Sequence, residues 1–215
     1  MLTYEDWSGN QIIMVTAFSI LILVLSVVVH EVAHGWAAYF LGDPTAKLAG
    51  RLTLNPIQHL DPMGSFIVPL LTYSLGGFIF GWAKPVPYNP YNLRAGRAGP
   101  AIVATAGPAA NLFLAACFSV VIRLTMGAVP VAFFQLASMI VVINLGLAIF
   151  NLIPIPPLDG SKILFALIPY RYRSVEEILT RYQLFWVILA IIVIAPLILP
   201  IVSFLFQLGT GFPIS

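Results

Sequence analysis

The chain has 215 residues, of which 60% are hydrophobic and 8% charged, with a formal net charge of +2. A soluble domain carries roughly 25% charged residues, so the composition excludes a water-soluble globule of this size, and the small net charge gives no footing for a nucleic-acid partner. Cys117 is the only cysteine, which removes a disulfide framework and a thiolate metal site.

The apolar residues fall in runs close to the ~20 residues that cross a bilayer as a helix. The expected class is an all-α polytopic membrane protein, with residues 1–215 forming a single intramembrane domain and no room for a large soluble module. The first ten residues hold Glu5 and Asp6 but no Lys or Arg, unlike a secretory signal, so the first apolar run is expected to stay in place as a helix. That helix runs from about Gln11 to Leu41, and Gly42, Asp43 and Pro44 end it. The following stretch to Asp61 is polar, and residues 45–55 are expected to form a short β-hairpin. Met63 to Trp82 is apolar but broken by Pro69 and Gly76-Gly77. Lys84 to Pro100 is rich in Pro, Gly and Asn and reads as loop. Further helices are expected over Ala101–Leu124, Val131–Leu152 and Leu184–Leu208, with a shorter apolar piece over Ser161–Ile168 and a basic loop over Arg171–Arg181. The sum is about four spanning helices plus an embedded segment near residues 63–83.

Basic residues set the orientation of membrane helices. An N-terminus outside places Lys47, Arg51, Lys84, Arg94, Arg97, Lys162, Arg171, Arg173 and Arg181 in the cytoplasm and leaves Arg123 outside. This holds only if residues 63–83 start and finish on one face. A re-entrant hairpin does so, provided its backbone packs in protein or lines a wet cavity.

The chemistry begins at His30-Glu31-Val32-Ala33-His34. Residues four apart on a helix are separated by about 40° and about 6 Å along the axis, so both imidazoles face one metal. Glu31, one residue round, is placed to take a proton from water that the metal activates, the logic of a zinc hydrolase. Three ionisable groups within five residues of an apolar helix are costly unless ligated or paired; the alternative is a cluster that snorkels into headgroups. A catalytic zinc usually takes three protein ligands. Asp159, in the proline-rich stretch after the Val131–Leu152 helix, is the leading third ligand and reaches the same face. It also fits a helix N-cap, and Asp61 and His59 are rivals.

These residues resemble the site-2 protease family of intramembrane zinc metalloproteases. His30, Glu31 and His34 match its first motif; Asn151, Pro154, Pro157, Leu158, Asp159 and Gly160 match its second. Gly107-Pro108-Ala109-Ala110-Asn111 looks like the motif of the intervening helix. Residues 51–56 and 59–62 look like the segment after the first motif in short bacterial members. The resemblance covers about Val28 to Lys162. It implies one catalytic zinc held by His30, His34 and Asp159, Glu31 as the base, and cleavage of transmembrane segments of substrate proteins in the cytoplasmic membrane, with the site towards the cytoplasm. Many relatives carry a PDZ or CBS module for which this chain has no room.

Asn111 and Asn151 are amides in or at the ends of apolar helices. They either contact substrate and its oxyanion or join helices by hydrogen bonds. His59 and Asp61 are candidates to surround the ligands or to make a turn with Pro62, and Asn144 reads as packing. Phe185 and Trp186 are expected to anchor at the interface. Other classes make different demands. A metal transporter would spread ionisable residues along several helices, and an inactive scaffold would lack a base or a ligand. A prenyl-protein protease would take a later glutamate, such as Glu176 or Glu177.

Overall fold

The fold is taken from a computed structural model that describes residues 9–68, 70–71, 74, 83–125, 127–169, 171 and 173–214. Helix α1, Gly9–Phe40, is 32 residues long. At 1.5 Å per residue it measures about 48 Å, more than the ~30 Å of hydrocarbon. Residues 30–34 therefore sit in its last third, towards one face. Its first half presents Ile13, Met14, Ile20 and Leu21 outward, whereas Ser26, Val28, His30, Val32, His34 and Ala38 are buried.

No β-hairpin forms over residues 45–55, and no strand is present among the described residues. Thr45–Leu48 is instead a single helical turn, α2. Pro44 suits the start of a helix, Asp43 accepts hydrogen bonds from the Thr45 N–H and hydroxyl, and Gly50 turns the chain at a φ of 66°. These local bonds outcompete strand pairing. A 3-10 turn follows at Pro56–His59.

The re-entrant reading concerns residues 63–83. Met63–Ile67 is a π-helical turn, but residues 75–82, where such a segment would reverse, lie outside the described residues. Its two ends are described, and they meet. The Lys84 N–H donates to the His59 carbonyl at 2.9 Å, and Arg51 donates to the Lys84 carbonyl at 2.6 Å. The two flanks of the segment are thus held side by side.

Residues 83–98 then form a strap with 3-10 turns at Pro90–Asn92 and Gly96–Ala98. Helix α3, Gly99–Thr125, is the centre of the bundle and packs against α1, against α4 (Val131–Asn151), against α5 (Asp159–Leu167) and against the last helix. Its contact side is lined by small residues, Ala104, Gly107, Asn111, Ala115 and Ser119, as expected where helices associate in lipid by close backbone approach. An apolar cluster of Ile122, Val141, Leu145, Ile198, Val202 and Phe206 locks α3, α4 and the last helix together.

The expected Leu184–Leu208 helix is helical along its length but carries a π-turn, and a sharp bend lies just before it. Helix α6 (Arg173–Arg181) meets α7 (Gln183–Leu189) at 72°. A π-turn at Ala190–Ile194 then leads into α8, Ala195–Thr210. Pro196 has no N–H to give to the turn before it, and a widened turn accommodates that loss. Three helices, α1, α3 and α4, are long and apolar enough to cross a membrane, and the bent pair raises the number to four among the described residues.

Candidate metal centre

Two elements bring three side chains to one point. His30 and His34 project from α1, and Asp159 from the first turn of α5. His30 Nε2, His34 Nε2 and Asp159 Oδ2 form a triangle with every side 3.0 Å. A tetrahedral zinc with ~2.0–2.1 Å bonds separates its ligands by about 3.3 Å. All three residues are buried.

The hydrogen bonds on the far side of each ring decide what faces the centre. His34 Nδ1 lies 2.7 Å from the Val103 carbonyl, which can only accept, so Nδ1 carries the proton. His30 Nδ1 lies 2.6 Å from Asn111 Oδ1. The Asn111 amide orientation is set in turn: its Nδ2 donates to the Ser26 carbonyl and to Asn144 Oδ1. Asn144 is set by donating to the Ile140 carbonyl and the Ser26 hydroxyl. The chain of bonds therefore ends on backbone carbonyls, and both neutral imidazoles turn a lone pair inward. Two lone pairs and a carboxylate at 3.0 Å repel one another unless a cation lies among them. The residues present thus fit one metal ion.

Glycine keeps the space open. A Cβ on Gly107 would lie 2.5 Å from His34 Nε2 and 2.6 Å from His30 Nε2, so any larger residue would fill the cradle. Gly160 lets α5 start against the Leu152 carbonyl, which a Cβ would overlap. Asp159 does not cap its helix with its side chain; Oδ2 faces the histidines and Oδ1 lies 3.5 Å from Lys162. The carboxylate serves the centre rather than the helix terminus.

Glu31 lies partly buried beside the centre, and its Oε2 accepts a hydrogen bond of 2.8 Å from the Val86 N–H of the strap. The other candidates separate. Asn111 joins the centre through His30. Asn151 donates to the Leu147 carbonyl of its own helix. His59 is buried, with Nε2 at 2.9 Å from the Thr53 carbonyl, and Asp61 accepts from the Gly64 N–H; both brace the loop before the embedded segment. Arg51 Nε and His59 Nδ1 have no hydrogen-bond partner among the described residues. Ser26, Val86 and the hub formed by Asp43 escaped the sequence reading. Asp43 is fully buried and accepts from Thr45, from the Asn89 N–H and from Asn92 Nδ2. Burial alone would raise its pKa, but the bonds from Thr45, Asn92 and Asn89 outweigh it and hold it below the usual carboxylate value.

Comparison with known proteins points the same way. Residues 127–194, which include Asp159, match the model of Peptidase family M50. YwhC of Bacillus subtilis is 40% identical over 164 residues, 73% of this chain and 72% of that protein. Rip2 of Mycolicibacterium smegmatis is 33% identical over 137 residues, 64% of this chain and 52% of Rip2. Rip2 of Mycobacterium tuberculosis is 29% identical over 174 residues, 80% and 65% of the two chains. The names of all three describe candidate zinc metalloproteases. The chain spans about half to two thirds of the length of these Rip2 proteins. No solved structure matches the chain.

Proposed function

The chain belongs to peptidase family M50 and is a zinc metalloprotease of a multi-pass membrane protein class; from that premise we propose that it hydrolyses peptide bonds within the transmembrane segments of other proteins. The observation that carries this reading is the position of Glu31 beside three inward-facing donors, within helices whose outer surfaces are apolar. His30, His34 and Asp159 would hold the ion, which supplies carbonyl polarisation and acidified water. Glu31 takes the proton of the attacking water and returns it to the leaving nitrogen as the C–N bond breaks. Asn111 holds His30 in the tautomer that binds metal, which favours the positioning role for this residue over contact with substrate.

The site faces the cytoplasm in this reading. With the two flanks held together, a re-entrant path for residues 63–83 would put Lys47, Arg51, Lys84, Arg94 and Arg97 on the face on which α4 ends and α5 begins. This is the distribution that the positive-inside rule demands. A substrate helix must unwind locally to present its amide, since its own hydrogen bonds shield the backbone.

The test is reconstitution in liposomes with a panel of single-span substrates, with and without a chelator. Cleavage inside the span, stopped by chelation and restored by zinc, is the expected result. Glu31→Gln should lose roughly 10²–10⁴-fold in rate, the usual contribution of a general base, while keeping its zinc. Cleavage confined to residues outside the bilayer would defeat the intramembrane reading. Undiminished turnover by Glu31→Gln would remove Glu31 as the base.

A further inference from the structure

We propose that the backbone N–H of Val86 is a positioning group for Glu31, so that the strap over residues 83–98 sets the reactive placement of the base; this rests on the proteolytic reading above. The starting observation is the 2.8 Å bond from Val86 N–H to Glu31 Oε2. No other hydrogen bond to the Glu31 carboxylate is formed among the described residues. A carboxylate in proteolysis must hold one oxygen towards water, and the three rotatable bonds of a glutamate leave that orientation undefined unless the second oxygen is tied. Val86 ties it.

The sequence of the strap is suited to this task. In Lys84-Pro85-Val86-Pro87-Tyr88, two residues precede prolines and are pushed to extended backbone, while Pro85 and Pro87 have no N–H. The segment thus offers few donors, and three main-chain N–H groups here bond inward: Lys84 to the His59 carbonyl, Val86 to Glu31, and Asn89 to Asp43. Both flanks are anchored to fixed points. Upstream, Arg51 holds the Lys84 carbonyl. Downstream, Asp43 holds Asn89 and Asn92, and the Arg94 N–H donates to the Leu41 carbonyl at 2.8 Å. Between the anchors, Val86 is 7% exposed and seats over Gly35, where a Cβ would lie 3.0 Å from Val86 Cγ1 and 2.6 Å from Leu52 Cδ2. Gly35, one residue beyond His34, therefore lets the strap approach the helix that bears the ligands. Further along, Leu93 and Tyr88 pack with Ala38, Leu41 and Val103, and Arg97 donates to the Ile168 carbonyl at the end of α5. The strap touches α1, α3 and α5, the elements that carry the centre, and its one bond to a reactive group is made by a main-chain atom that no side-chain substitution removes.

Proline at position 86 is the exception. Val86→Pro deletes the N–H, keeps most of the volume and suits an extended stretch already flanked by prolines. Val86→Ala keeps the N–H and trims the packing. Both are compared as full-length zinc-loaded protein in liposomes. Val86→Pro is expected to lower kcat by about tenfold or more with KM within about twofold and unchanged zinc content, and Val86→Ala to lose far less. A second readout needs no turnover. Amide hydrogen exchange of residues 84–88, where the prolines contribute nothing, should speed up by about tenfold in Glu31→Ala, because Val86 N–H loses its acceptor. Equal losses in the two Val86 variants would reduce the bond to packing. Unchanged exchange in Glu31→Ala together with full kcat in Val86→Pro would overturn the proposal outright. If Glu31→Gln itself cleaves normally, the base role of Glu31 fails first, and the exchange result still reports on the bond; if the wild-type protein cleaves nothing, the proteolytic reading fails.

Discussion

The bundle around the metal ligands and the arm that follows it, α6 and α7, are both built of helices with long apolar side chains, yet they are held in different ways. In the bundle, α3 touches four other helices, and polar side chains from α1, α3 and α4 bond to one another at its centre. In the arm, no residue of α7 is buried and α6 packs chiefly on α7. Trp186 Nε1 is enclosed without a hydrogen-bond partner among the described residues. The difference teaches which force matters. Lipid is as apolar as leucine, so apolar surface alone does not fix one helix against another; small-residue contacts and interhelical hydrogen bonds do. Geometry accurate enough for metal binding is found only where those contacts are dense.

The largest blow to the bundle should come from Gly107→Ala, because the new methyl group would occupy the cradle itself. Neither histidine can retreat without surrendering its Val103 or Asn111 bond. Zinc content of the purified variant, read by metal analysis, is expected to fall roughly tenfold or more, and cleavage with it, since the remaining donor geometry cannot be kept. Full occupancy would mean that the α1–α3 contact yields more easily than its packing implies.

A smaller effect separates hydrogen bonding from packing in the same region. Asn111→Leu keeps the volume but leaves His30 Nδ1 without its acceptor, and partners of metal-bound histidines typically contribute about 10–100-fold in metal affinity. Asn144→Leu acts one bond further away and is expected to weaken zinc by less, roughly tenfold at most. Competition with a calibrated chelator measures both. Wild-type affinity in Asn111→Leu would show that the ring is held by burial alone.

Much of this was legible in the residues and some was not, for physical reasons. Histidines four apart announce a metal because helical geometry superimposes them, whatever the rest of the chain does. Asp159 could be placed on their face because the basic residues orient the helices. Ser26 and Asn144 gave no such signal: a serine or asparagine in an apolar helix looks the same whether it bonds its own backbone or a neighbour. Val86 was beyond reach, since its contribution is a main-chain N–H and the side chain says nothing of it. The β-hairpin expected over residues 45–55 does not form because the Asp43 carboxylate, bonded to the Thr45 N–H and hydroxyl, rewards a helical turn there. The π-turn at 190–194 has no signature in hydropathy, because Pro196 and Pro200 disturb the hydrogen-bond ladder without changing it.

The smallest effects should come from the arm, and their smallness is the point. Val175, Ile178 and Leu179 share one side of α6, and Ile178 is 54% exposed. Ile178→Ser removes exposed apolar surface, and exposed substitutions of this kind usually change stability by no more than about 0.5 kcal/mol. Zinc affinity should therefore shift by less than about twofold, against the order of magnitude or more expected at Asn111. Amide exchange supplies the complementary view. Opening of a segment costs only the contacts it makes; with α7 as its main neighbour, α6 should exchange over residues 174–181 at least about a hundredfold faster than α3 over residues 105–115, a difference of about 2.7 kcal/mol in opening free energy. Both measurements belong in the same liposomes, because detergent could loosen either region. If Ile178→Ser weakened zinc as much as Asn111→Leu, or if α6 and α3 exchanged alike, the arm would be a structural part of the centre. The contrast between a polar-locked bundle and a loosely held arm would then have to be abandoned.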